Sequence, residues 1–309
     1  MVYCINEHME ETLDINHTLP NLKDKPYGGA WSIHDTETAQ YVHQSIRPLA
    51  KPDVQKFLHD YAHWFKLGHT IDGIDKFVHL APANGTTEVF DKFYMQNTHR
   101  RLRLWRGEYF YHQIVARENF YNRFAWIDDE PITDMDVVVV SLPFANTGGI
   151  PENFDQVMQL CEYRNVNVLI DMAYINISKP IKVDLSYDCI KVIATSLSKV
   201  FPVETYRIGM RLMKNYLDDT LQAYVDQETP YANTNSIHLG QQLIDQYEND
   251  YIVKRYTPLQ LEYCDQLGVT PSDCVIFGID SNNKYPEYQR GTDTGRMCFS
   301  KLWDKRITI

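Results

Sequence analysis

Between residues 76 and 214 short apolar runs alternate with amphipathic stretches. Residues 76–83, 101–105, 136–142, 166–170, 190–194 and 208–212 each have the length and apolar content of a strand. The run at 136–142 (DVVVVSL) lacks polar alternation, as expected of a strand buried on both faces. Residues 86–95, 109–119 and 151–163 carry helical spacing instead, the first opening just after Asn84-Gly85 and the last with Pro151 near its first turn. Strands alternating with helices predict an α/β fold with a large, mainly parallel sheet sandwiched by helices. The first 75 residues are polar and broken by Pro20, Pro26, Gly28 and Gly29, although 52–67 reads as a helix through Val54, Phe57, Leu58, Tyr61 and Phe65. Beyond Lys214, residues 216–225 and 237–256 read as helices, the second long enough to bridge two lobes. Residues 274–279 and 296–299 then read as strands of a small α+β lobe. The expected organisation is an N-terminal segment (1–75) belonging to the small lobe or to dimer contacts, a large domain (76–235), and a linking helix with a small C-terminal α+β domain (236–309).

Composition narrows the range of functions. A chain of 309 residues, 44% hydrophobic and 23% charged, fits one large domain or a large and a small one. The 30 basic residues are outnumbered by 41 acidic ones, giving a net charge of −11. A general nucleic-acid or anionic-membrane surface needs the opposite balance, so neither partner is expected. The longest apolar runs are far too short to span a bilayer. The six cysteines form no C-x-x-C pair and no Cys/His cluster with zinc spacing, so no metal is expected and the thiols read as reduced and buried. With no basic and apolar leader at the start, the expected location is cytoplasmic. No G-x-G-x-x-G follows a predicted strand and no G-x-x-x-x-G-K-[ST] exists, which argues against a nucleotide-binding dehydrogenase.

In open α/β sheets functional residues gather at the carboxyl ends of the strands. Read in order, those ends are Asn84-Gly85-Thr86-Thr87, Pro143-Phe144-Ala145-Asn146-Thr147-Gly148-Gly149, Asp171-Met172-Ala173-Tyr174, Thr195-Ser196-Leu197-Ser198-Lys199 and Arg207-Ile208-Gly209. Asp171 and Tyr174 make D-x-x-Y, Ser196, Ser198 and Lys199 make S-x-S-K, and Arg207 and Gly209 make R-x-G eight residues after the lysine. In that order and on those elements, the chain resembles the fold-type I pyridoxal-phosphate enzymes of the class I/II aminotransferase group, from about residue 84 to 214, with a fainter match in the last twenty residues.

The resemblance implies a role for each residue, and the chemistry explains the residue type. Lys199 would carry the cofactor as an internal aldimine, because a lysine amine forms a Schiff base that substrate amines displace. Once released, the same amine can move the substrate's α-proton. Asp171 would keep the pyridine nitrogen protonated so that the ring accepts electrons, and Tyr174 would donate to the ring oxygen. Ser196, Ser198 and Arg207 would bind the phosphate. So would Gly85, Thr86 and Thr87, at a helix N-terminus whose N–H groups and dipole favour anions. Tyr109 aligns with the aromatic that stacks on the cofactor, although core packing fits it equally. Arg296 resembles the arginine that grips an amino acid's α-carboxylate.

The family's N-P-T-G motif is altered to Ala145-Asn146-Thr147-Gly148-Gly149. Two registers are open, and Asn146 is preferred over Ala145 because only Asn supplies a hydrogen bond. The chain is also short for the group, and Tyr27-Gly28-Gly29 is the only candidate for its N-terminal substrate loop. The resemblance implies a homodimeric aminotransferase acting on an α-amino acid and 2-oxo acid pair. The alternatives are a lyase, decarboxylase or racemase using the same cofactor, or a non-catalytic binding descendant.

Overall fold

The computed structural model describes residues 26, 28–30, 33–45, 52–226 and 232–303. Its N-terminal half comprises α1 (Thr36–Ser45), α2 (Val54–Trp64), β1 (Thr70–Asp72), β2 (His79–Asn84), α3 (Thr86–Gln96), β3 (Arg101–Leu104), α4 (Phe110–Asn119), β4 (Phe124–Trp126) and β5 (Asp136–Ser141). Next come α5 (Phe154–Tyr163), β6 (Asn167–Asp171), β7 (Lys182–Asp184), β8 (Ile190–Ser196) and β9 (Ile208–Met213). The remainder holds α6 (Thr220–Val225), α7 (Thr234–Gln246), α8 (Tyr251–Leu267), β10 (Thr270–Pro271), β11 (Phe277–Asp280), β12 (Gly295–Cys298) and α9 (Ser300–Trp303).

Seven strands form one sheet in the order β2-β9-β8-β6-β5-β3-β4. The pairs from β8 to β4 are parallel, and β9 runs antiparallel to both its neighbours. The four valines at 137–140 sit in β5 with no solvent exposure, which is why that run shows no alternation. Because β9 is reversed, β2 and β8 point the same way. The carboxyl ends of β2, β8, β6, β5 and β3 therefore share one edge with the amino end of β9. That single topological fact assembles the candidate site.

Helix α2 is capped by Asp53, whose side chain accepts from the Lys56 N–H. It buries Val54, Phe57, Leu58, Tyr61 and Trp64, a 3–4 spacing that lays one apolar stripe against α7 and β2. A second sheet, β10-β11-β12, is antiparallel and carries the C-terminal part. Gln260, fully buried on α8, holds its approach by placing Nε2 within 3.0 Å of the Ser272, Cys274 and Phe277 carbonyls. The Ser272 hydroxyl donates to the Thr147 carbonyl at 2.8 Å, tying this small sheet to the loop that follows β5.

The single helix expected over 237–256 is two helices, α7 and α8. Tyr247 is extended (φ −118, ψ 135) and its carbonyl accepts from Trp64 Nε1 at 2.8 Å, while the Asn249 side chain donates to the Leu67 carbonyl. The apolar spacing runs on across the break because both helices bury the same side, with Leu243 and Ile244 before it and Ile252, Val253 and Tyr256 after it. The helix expected over 216–225 begins only at Thr220, capped by Asp219, whose carboxylate is also paired with buried Arg211. Among the described residues no helix is long and apolar enough to cross a membrane.

Candidate active site

Glycine lets three strands meet closely at one corner of the sheet edge. Asn84 pairs with Ile208 and Ser196 with Gly209, so the ends of β2, β8 and β9 lie side by side. Gly85 has φ +75, and a Cβ there would fall 2.3 Å from Arg207 Nη2. A Cβ on Gly209 would fall 2.8 Å from the Gly85 Cα. The glycine of R-x-G is thus required by close backbone approach. Helix α3 opens here with no side-chain cap on Gly85, and the Glu88 carboxylate reaches back to the Asn84 N–H at 2.7 Å. The first-turn amides of Thr86 and Thr87 stand at a positive helix end.

Arg207 completes that corner. Its Nη2 donates to Thr87 Oγ1 at 2.9 Å and its Nη1 to the Glu204 carbonyl at 3.1 Å. Its backbone is left-handed (φ +56), which for a non-glycine residue costs on the order of 1–3 kcal/mol and is commonest at functional sites. Ser196 caps the turn that carries the lysine, accepting from the Ser198 N–H, and its Oγ lies 2.9 Å from both Ser198 Oγ and the Ile208 carbonyl. Of the two serines, Ser196 is committed to shaping the turn.

Lys199 and Asp171 lie one strand apart, at the ends of β8 and β6. The Lys199 amine donates to the Ala30 carbonyl at 3.1 Å. Burial, with Arg296 nearby, pushes its pKa below the usual lysine range, so more of it is free amine near neutrality. Asp171 is 4% exposed and accepts from the Ala173 N–H at 3.0 Å. Tyr174, three residues on, is buried edge-on to Phe277 with ring centroids 5.4 Å apart. Tyr109, the residue before α4, lies within electrostatic reach of Asp171, Arg207, Arg290 and Arg296, which places it over the same edge. It also meets Tyr111 and His112 ring to ring.

Asn146 is buried. Its Nδ2 donates to Thr292 Oγ1 at 2.9 Å, while its Oδ1 has no hydrogen-bond partner. Ala145 offers only its backbone, with its carbonyl taken by Arg296. Arg296 is 1% exposed, lies 4.4 Å over the Phe277 ring and reaches the Gly28 carbonyl at 3.4 Å. The structure therefore brings Gly85, Thr86, Thr87, Tyr109, Asn146, Asp171, Tyr174, Ser196, Ser198, Lys199, Arg207 and Arg296 to one edge. Of the N-terminal loop candidate, Gly28 lies here, its carbonyl facing Arg296, and Tyr27 falls outside the described residues.

Three polar residues at this edge escape the motif reading. His112 is fully buried, with Nδ1 2.7 Å from Tyr94 Oη and an unpartnered Nε2 lying 3.9 Å from Asp171 Oδ2. Its place one helical turn after Tyr109 is the signal that could have found it. Glu108 is buried, its carboxyl pushed up by desolvation, and accepts from the Tyr109 and Ser141 N–H groups. Arg290 carries no local sequence signal at all. Among the described residues no group of three or more His, Cys, Asp or Glu side chains could hold a metal ion.

The chain has counterparts among known proteins. A sequence model of the family described as aminotransferase class I and II matches residues 67–254, more than half of the chain. Comparison with curated proteins gives no match. Among solved structures, the histidinol-phosphate aminotransferase from Clostridium acetobutylicum is similar at 16% identity and TM-score 0.58, over 90% of this chain and 96% of that one. A C-S lyase from Staphylococcus hominis, solved bound to pyridoxal phosphate with the inhibitor L-cycloserine, is similar at 9% identity and TM-score 0.64, over 98% and 92%. The L-threonine-O-3-phosphate decarboxylase from Porphyromonas gingivalis is similar at 15% identity and TM-score 0.57, over 90% and 98%. At such identities these likenesses show the fold, and they extend over at least 90% of this chain.

Proposed function

The chain belongs to the class I and II aminotransferase family, and from that membership we propose that it is a pyridoxal-phosphate-dependent aminotransferase exchanging an amino group between an α-amino acid and a 2-oxo acid. The observation that carries this reading is Lys199, a half-buried lysine with a depressed pKa, one strand from buried Asp171 and eight residues before Arg207.

The residues present fit the cofactor. The corner bounded by Gly85, Gly209 and Arg207 sets a guanidinium beside the N-terminus of α3, which suits a phosphate. Asp171 suits a protonated ring nitrogen, and the unpartnered Asn146 Oδ1 marks a polar group awaiting a contact. When bound, pyridoxal phosphate supplies an aldehyde that condenses with amines and a ring that accepts electrons from a bond at the amino acid's α-carbon.

The chain's own contributions follow from the geometry. Arg207, with the Thr86 and Thr87 amides, neutralises the phosphate. Asp171, oriented by the Ala173 N–H and backed by His112, holds a proton on the ring nitrogen. Tyr109 would cover one face of the cofactor ring, and Tyr174 would donate its hydroxyl to the ring oxygen. Arg296 would orient the substrate by its α-carboxylate, and the Lys199 amine, whose lowered pKa favours the free base, would take the proton from the α-carbon. We place the working form as a cytoplasmic homodimer, which the family resemblance and five buried, unpaired cysteines among the described residues support.

Transfer of label tests the reading. Incubated with ¹⁵N-amino acids and unlabelled 2-oxo acids, the loaded protein is expected to move ¹⁵N onto the oxo acid without releasing ammonia or carbon dioxide. Release of either, or racemisation alone, would reassign the chain to the lyases, decarboxylases or racemases.

A further inference from the structure

Two arginines lie at the side of the site away from the phosphate corner. Gln289 and Gly295 pair as an antiparallel bridge, with Gln289 extended at φ −64 and ψ 149. In an antiparallel ribbon the residues next to a pair turn to its opposite face. Arg290 and Arg296 therefore project to the same side, and both lie within electrostatic reach of Tyr174 and Tyr109. The 290–296 loop is held over the site by the hydrogen bond from Asn146 to Thr292.

Neither guanidinium has an acid of its own. Among the described residues Arg290 and Arg296 enter no ion pair, and Arg290 makes no side-chain hydrogen bond. Although Arg290 as a residue is partly exposed, its Nη1 is closed off from solvent and has no partner, as is Arg296 Nε. Glu108 lies within electrostatic reach of Arg290, but its carboxylate is taken up by Tyr109 and Ser141. Desolvation and the like charge of Arg296 together depress the Arg290 pKa. Two cations within electrostatic reach of each other, each with a nitrogen shut off from solvent and, among the described residues, no paired acid, are costly to keep for packing alone. An arrangement of this kind is stabilised when anions arrive, and a planar fork is the group best suited to receive them.

We propose that Arg290 and Arg296 form a two-point anion receptor, with Arg296 taking the α-carboxylate and Arg290 a second acidic group on the substrate's side chain. The substrate class is then an α-amino acid bearing a further anion. The assignment of the α-carboxylate to Arg296 rests on the aminotransferase reading; the receptor itself rests on the two guanidiniums. Carboxylate and phosphate share the chemistry that Arg290 recognises, and the substrates chosen separate them.

The protein loaded with pyridoxal phosphate is mixed in turn with aspartate, glutamate, O-phosphoserine, glutamine and methionine, and the rate of loss of its visible band is read. At least one acidic amino acid is expected to react about 10–150-fold faster than the neutral ones, the range that one charge-assisted contact spans. In Arg290→Gln that preference collapses to less than about fivefold, and Arg290→Lys restores part of it, keeping the charge without the fork. No preference in the parent, or one that survives Arg290→Gln, overturns the proposal. Calorimetry with glutarate and butyrate reads the receptor without cofactor: glutarate binding is expected in the parent and lost in Arg290→Gln. Glutarate binding in a protein that never shows the visible band would keep the receptor and overturn the aminotransferase reading. A visible band without glutarate preference would do the reverse.

Discussion

The two halves of the site are built differently. On the cofactor side the polar groups already satisfy one another: Arg207 with Thr87 and Glu204, Ser196 with Ser198 and Ile208, Asp171 with Ala173. At the substrate side they are left short, with Arg290 Nη1, Arg296 Nε and Asn146 Oδ1 all buried and unpartnered. The Lys199 amine, between the halves, rests on a single carbonyl, that of Ala30. A cofactor that stays benefits from a rigid, satisfied cradle. Groups that meet each new substrate must stay available, because a contact already made internally adds nothing on binding.

That contrast can be broken by substitution. Asp171→Asn keeps the shape and removes the charge, and should lower kcat on the order of 10²–10⁴-fold, the scale of a lost proton-holding group, while the protein still takes up cofactor. Stopped-flow half-reactions with the best amino acid measure it. A smaller pair of effects separates the two arginines. Arg207→Gln should weaken cofactor binding, and Arg296→Gln should raise KM for the amino acid, each by about 10–150-fold, as expected when a charge-assisted contact is lost. If both variants lost cofactor alike, the division into a cradle and a mouth would fail.

The pH dependence sharpens the middle of the comparison. Because burial lowers the Lys199 pKa, its reactive neutral amine persists to lower pH than that of an ordinary lysine. The rate of cofactor capture should rise with pH and level off below about 10.4, the ordinary lysine value. An inflection at or above that value contradicts the buried-amine account. The smallest effect belongs to Asn146→Ala, expected to weaken cofactor binding by only about 2–10-fold, the worth of one neutral hydrogen bond. No change would favour the register with Ala145.

The same contrast explains what could be read in the sequence. The cofactor side is local: Asp171 and Tyr174 share one strand end, and Lys199 and Arg207 share one connection, so fixed offsets reveal them. The strands of the large sheet were equally plain, since burial on both faces leaves continuous apolar runs such as the valines at 137–140. The mouth is assembled from residues 28, 146, 290 and 296, which only the tertiary structure brings together, so no spacing marks Arg290. His112 lay in sight but inside an aromatic cluster whose pattern reads equally as core. The break at Tyr247 was hidden because both flanking helices bury the same side, and what interrupts them is Trp64, far away in the chain.

The most direct test is the visible spectrum of the purified protein titrated with pyridoxal phosphate, followed by borohydride reduction and peptide mapping, beside Lys199→Ala. A band that appears in the parent, disappears on reduction and leaves the cofactor's mass on the peptide containing Lys199, with no band in the variant, is the predicted result. A parent without the band, or a reduced cofactor found on another lysine, would contradict the assignment of this sheet edge as the cofactor site.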